Sequence, residues 1–104
     1  MRRIALTMQL KPGYEAEYKR RHDEIWPELS ACLTEAGVSN YSIFLDNATL
    51  RLFAYMEVSD RYDPNWLPQQ PIVRKWWEMM RDVMDTNPDN SPVTVPLHEV
   101  FHHD

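Results

Sequence analysis

Tyr18, His22 and Trp26 follow one another at intervals of four residues, the spacing that sets side chains one turn apart on a single helix face. An imidazole between a phenol and an indole suits proton transfer near neutral pH, because it gives and retakes a proton with little driving force. Tyr14, Ile25, Leu29, Leu33 and Ala36 fall on the same face, so His22 points inward. Two readings of it stand side by side: a satisfied core histidine, or an acid–base group in a pocket. Pro27 adds a local break. It has no N–H to donate and its ring crowds the carbonyl of Asp23, so a helix must kink or restart there.

Other side chains narrow the chemistry. Trp76 and Trp77 are adjacent, about 100° apart on a helix, so at most one fills a given core. Such a pair serves either as a stacking platform for a sugar or as packing against a second chain. Tyr41 opens a run of alternating residues, as a ligand contact or as plain packing with its hydroxyl at the rim. Asp23 and Glu24 neighbour His22 but lie off its face, which assigns them to solvent. His98, His102 and His103 cluster near the end of the chain, yet the last two point to opposite faces of a strand. Zinc needs convergent ligands, so no metal site is expected. The chain has two glycines and no phosphate-cradling loop. It lacks a serine nucleophile elbow, and Cys32 stands about three helical turns from His22. Proton transfer on a small neutral molecule with an apolar face is what these residues can do without cofactor or metal.

The elements that must hold them read clearly. Ile4, Leu6, Met8 and Leu10 alternate with Ala5, Thr7 and Gln9, a half-buried strand over 3–10. Lys11-Pro12-Gly13 turns into a helical stretch over 14–36, interrupted at Pro27 and ended by Gly37. Tyr41, Ile43 and Leu45 give a second strand, and Asp46-Asn47-Ala48-Thr49 returns the chain as a hairpin into a third over 50–58. After Pro64, Pro68 and Pro71 comes a helix over 71–84, with apolar positions round more than half its circumference, so it needs contacts on two sides. Asn87-Pro88-Asp89-Asn90-Ser91-Pro92 is a loop. Val93 to Phe101 alternates as a last strand, which Pro96 confines to an edge or a bulge.

Strand, helix, strand, strand, helix, strand is the βαββαβ order of a ferredoxin-like α+β fold. Right-handed crossovers put both helices on one sheet face. The other face carries Phe53 and Tyr55, which a two-fold dimer would cover. At 104 residues the chain forms one domain, 1–104. Its net charge of −5 disfavours nonspecific nucleic-acid or anionic-membrane binding. No apolar run approaches a membrane span, and the first residues do not form a signal peptide. With one cysteine an internal disulfide is excluded, and a reducing, cytoplasmic setting fits.

Tyr18-x-x-x-His22, His22-x-x-Ile25-Trp26-Pro27-Glu28, Asn40-Tyr41, Trp76-Trp77 and Asn87-Pro88-Asp89-Asn90-Ser91-Pro92, in this order and nearly end to end, resemble the L-rhamnose mutarotase family. The resemblance implies a homodimeric α+β barrel with a sugar between helices and sheet. It implies interconversion of the α and β anomers of L-rhamnopyranose in the cytoplasm, without metal or cofactor. His22 would be the proton donor, directed at the ring oxygen. Tyr18 and Tyr41 would contact the substrate, and Trp76 and Trp77 would line its site. The Pro64, Pro68, Pro71 segment departs from the family pattern and bears on the wall of the pocket. The same fold also serves monooxygenases, lactone isomerases and haem-degrading proteins, and a non-catalytic sugar-binding module is a further alternative.

Overall fold

The structure, a computed structural model, describes residues 1–104 as β1 (Arg2–Gln9), α1 (Glu15–Asp23), α2 (Pro27–Glu35), β2 (Val38–Asp46), β3 (Arg51–Val58), a 3₁₀ turn (Leu67–Gln69), α3 (Pro71–Met80) and β4 (Val95–Pro96). The strands form one antiparallel sheet in the order β2-β3-β1-β4. That is the ferredoxin-like α+β arrangement expected from the element order. On one face, Leu6 and Met8 of β1 stand beside Ala54 and Leu52 of β3, and Ile43 and Leu45 of β2 continue the rows. Tyr18, Leu29, Val73, Trp76 and Met80 from the helices pack onto this apolar face. A smaller cluster of Ala36, Val38, Met56 and Val58 occupies one end of it, and Trp66 and Leu67 touch both clusters.

Four boundaries differ from the sequence expectation, each for a physical reason. The stretch over 14–36 is two helices instead of one bent helix. Trp26 precedes a proline, which disfavours helical backbone, and it takes an extended conformation with ψ 131°. Pro27 then opens α2 at a position where its missing N–H costs nothing. Gly37 closes α2 with φ +92°, donating to the Thr34 carbonyl at 3.0 Å, as expected of a C-terminal glycine.

Helix α3 stops at Met80 and not at Met84. The chain turns there so that Lys11 N–H donates to the Val83 carbonyl at 2.9 Å and Asp85 N–H to the Gln9 carbonyl at 3.0 Å. Pairing with the end of β1 outcompetes one more helical turn. The last strand is short: Pro96 has no N–H, and the ladder with β1 covers only Leu6↔Pro96 and Thr7↔Val95. It lies at the sheet edge, where proline is tolerated.

The fourth difference is in β2. Ser39 pairs with Glu57 but Ser42 pairs with Tyr55, so one extra residue is inserted between them. A strand alternates sides at every residue, so this bulge lets Val38 and Ile43 face the same core despite their odd separation. Asn40 absorbs the bend with φ +46°, which asparagine tolerates better than most residues. Its side-chain amide donates to Glu57 Oε2 at 2.7 Å.

Candidate functional site

A cavity of about 840 Å³ opens between the helices and the core face of the sheet. Tyr18, His22, Tyr41, Trp76 and Trp77 all line it. These five come from α1, β2 and α3, and only the fold brings them together.

His22 sits in the last turn of α1, half-buried. Its ring stacks on that of Tyr18 with centroids 4.3 Å apart, and meets Trp76 edge-on at 5.3 Å. Trp76 is in turn held edge-on by Trp26 at 5.2 Å, a contact that depends on the extended backbone before Pro27. Nδ1 lies 3.0 Å from the Tyr18 carbonyl oxygen. A carbonyl only accepts, so Nδ1 carries the proton and donates it, leaving the Nε2 lone pair free in the neutral ring. Burial pushes the His22 pKa below its ordinary 6.5, partly offset by the bond to the Tyr18 carbonyl and by the Asp23 charge. At neutral pH the imidazole is therefore uncharged and basic at Nε2.

The phenols lie on the other side of the charge scale. Desolvation raises the pKa of Tyr18, with a smaller contribution from Tyr41; it also raises that of Tyr41, with a smaller contribution from Tyr62. Both stay protonated at neutral pH and act as donors. Tyr18 is buried, while Tyr41 is 39% exposed on the core side of the bulged strand. Trp76 is buried and Trp77 half-buried beside it, so the pair divides as the 100° offset requires.

Asp23 and Glu24 are exposed and paired with Lys19 at 2.9 Å and Arg20 at 3.2 Å, the solvated role assigned to them from spacing. Arg21 was not singled out from sequence. Its guanidinium bonds Glu17 at 2.7 Å, the Met79 carbonyl at 2.7 Å and Asp82 at 2.8 Å, tying α1 to the end of α3 beside His22 and Trp76. Met79 and Asp82 are 58 and 61 residues away, so no local pattern reveals them. Tyr62 and Asn90 also reach the cavity. Asn90 adopts φ +72° in the Asn87–Pro92 loop, for which its asparagine was a signal. Cys32 is buried with its thiol pKa raised by desolvation. His102 pairs with Asp104 at 2.7 Å in the exposed tail.

The profile of the family described as L-rhamnose mutarotase matches residues 3–103. A relative named L-rhamnose mutarotase from Flavobacterium johnsoniae is 55% identical over 102 residues, covering 98% of this chain and 95% of its own. One of the same name from Bacteroides thetaiotaomicron is 54% identical over 104 residues, covering 100% of both. The crystal structure of L-rhamnose mutarotase from Formosa agariphila matches with a TM-score of 0.93 at 49% identity, over 100% of each chain.

Proposed function

The chain belongs to the L-rhamnose mutarotase family, and from that premise we propose that it is a carbohydrate isomerase that interconverts the α and β anomers of L-rhamnopyranose, with His22 as the group that moves the proton. The observation that carries this assignment of His22 is its fixed tautomer: Nδ1 is committed to the Tyr18 carbonyl, and Nε2 is the free base in a cavity.

Ring opening begins when Nε2 takes the proton of the C1 hydroxyl. As O1 forms the carbonyl, the C1–O5 bond breaks and its electron pair goes to O5. The imidazolium then gives its proton to O5, so His22 acts as donor to the ring oxygen with the proton it has just received. O1 and O5 are both bonded to C1, so one imidazole can serve both. Rotation about C1–C2 presents the other carbonyl face, and the same steps in reverse close the ring as the opposite anomer. Tyr18 and Tyr41, held protonated, donate hydrogen bonds to the developing oxyanions. Trp76 and Trp77 supply apolar surface for the C–H face and the 6-methyl group.

Residues 1–104 act as one domain in this proposal, which is supported by Trp66 and Leu67 bridging the two apolar clusters. The working form is a homodimer. Phe44, Phe53 and Val95 are exposed in a row across the sheet face opposite the helices, with the buried Thr7 between the last two. Exposed apolar surface of this kind favours a two-fold contact. A cytoplasmic setting is supported by the lone buried thiol, and no helix is long and apolar enough to cross a membrane.

Exchange NMR on the anomeric protons of L-rhamnose with catalytic amounts of protein tests the reaction. Accelerated exchange that disappears in His22→Asn is expected; exchange unchanged by that substitution would sink the assignment of His22. A sugar-binding module without catalysis would show affinity and no acceleration.

A further inference from the structure

The segment between β3 and α3 carries Pro64 and Pro68, and it forms a wall of the cavity. Tyr62, Pro64, Leu67 and Pro68 all line it. The wall is stiff. Tyr62 N–H donates to the Ser59 carbonyl at 3.0 Å and Trp66 N–H to the Asp63 carbonyl at 3.0 Å. Side chains add bonds from Gln69 to the Asn65 carbonyl at 2.8 Å, Gln70 to the Trp66 carbonyl at 2.9 Å and Arg74 to the Pro68 carbonyl at 2.9 Å. Pro64 and Pro68, with fixed φ, reduce the freedom of the chain further.

Tyr62 stands at the opposite end of the cavity from the histidine. It packs against Ala36, Val38, Met56 and Val58, whereas Tyr18 and Trp76, the two rings that hold His22, belong to the cluster with Met8, Leu10 and Leu52. The core face of β3 thus runs from Leu52 at the histidine end to Val58 at the Tyr62 end. Tyr41, on the bulge of β2, lines the same cavity; after desolvation, Tyr62 contributes to raising its pKa, as Tyr41 does to raising that of Tyr18. Tyr55, outside the cavity, spends its hydroxyl on Glu57 at 2.9 Å. The hydroxyls of Tyr18, Tyr41 and Tyr62 have no such side-chain partner and are shifted by desolvation first. Three phenols whose O–H groups are free for a ligand suit a molecule carrying several hydroxyls.

We propose that Tyr62 is a specificity-determining residue whose hydroxyl hydrogen-bonds a ring hydroxyl of the sugar on the side away from C1. The proposal rests on the mutarotase reading and adds a contact to it. A neutral hydrogen bond to a bound hydroxyl is worth about 3–10-fold in affinity.

Tyr62→Phe keeps the ring and removes only the oxygen. Its test uses L-rhamnose and its 2-, 3- and 4-deoxy analogues, with NMR titration for affinity and anomeric exchange for kcat and KM. The expected result is a KM and Kd for L-rhamnose raised about 3–10-fold, kcat within about twofold, and thermal stability unchanged. The effect should vanish for the one analogue that lacks the partner hydroxyl. An unchanged Kd, an equal effect on every analogue, a fall confined to kcat, or a loss of stability would each overturn the contact. Wild-type protein that binds L-rhamnose without exchanging its anomers would overturn the mutarotase reading, while the Kd ratio of the two proteins still decides the Tyr62 contact. Wild-type protein that does not bind the sugar at all would overturn both.

Discussion

At His22 a single hydrogen bond decides which nitrogen is left to act as the proposed base. With Nδ1 donating to the Tyr18 carbonyl, removing the ring removes the only imidazole lining the cavity. His22→Ala should slow anomer exchange by roughly 10²–10⁴-fold while the protein stays folded, as read by exchange NMR beside circular dichroism. The pH dependence follows from the direction of the shift. Burial lowers the His22 pKa below 6.5, so the neutral base dominates at and above neutral pH. The rate should be level from about pH 7 upward and fall as pH drops through a midpoint below the ordinary histidine value of about 6.5. A rate that instead rose on acidification through that midpoint would mean that the imidazolium starts the reaction. The same shift bears on stability. The unfolded chain binds the proton first, so stability is full above pH 6.5 and declines as pH falls through the window between the unfolded and folded values.

Between elements, Arg21 and Gly37 are the points where one substitution has leverage. Arg21 is mostly buried, and its bonds to Asp82 and the Met79 carbonyl hold α1 against the end of α3. The half-exposed Asp82 limits the ion-pair contribution, so most of the value lies in the bond to the carbonyl. Arg21→Ala should lower stability by about 1–2 kcal/mol in urea unfolding. It should also slow exchange, because His22 and Trp76 stand on the two helices that it joins. Gly37 combines φ +92° with a close neighbour: a Cβ there would run into the buried Ser59 Oγ. Gly37→Ala is expected to destabilise by about 1–3 kcal/mol, seen as a lower urea midpoint at unchanged slope. A neutral result would show that the Ser59 side chain moves aside freely.

Across the whole molecule, the proposed two-fold assembly rests on the side of the sheet opposite the helices. Phe44 and Phe53 are cross-strand partners, and Val100 and Phe101 in the tail are 89% and 79% exposed. Placing a charge in the middle of this surface should prevent a second copy from packing on it. Phe44→Lys is expected to shift the protein from dimer to monomer in sedimentation velocity, with helical content retained. A monomeric wild type, or a dimer indifferent to this change, would remove the sheet face as the interface.

Periodicity alone was enough to lay out the strands, the order of elements and the inward direction of His22, because alternation and helical spacing are properties of neighbouring residues. The tandem tryptophans and the Tyr18–His22 spacing were legible for the same reason. What needed the folded chain was everything that depends on residues far apart in sequence. The inserted residue at Asn40 is visible only once β2 is paired with β3, yet it brings Val38 onto the core side with Ile43. Helix α3 ends early because β1 claims Val83 and Asp85. Arg21 finds its partners across the molecule, and Tyr62 joins Tyr18 and Tyr41 through the packing of a proline-rich segment that has no periodicity. Even the opening motif changed its meaning. Pro27 foretold a break, but that the break would leave Trp26 extended and edge-on to Trp76, bracing the wall on which His22 rests, was decided by tertiary packing.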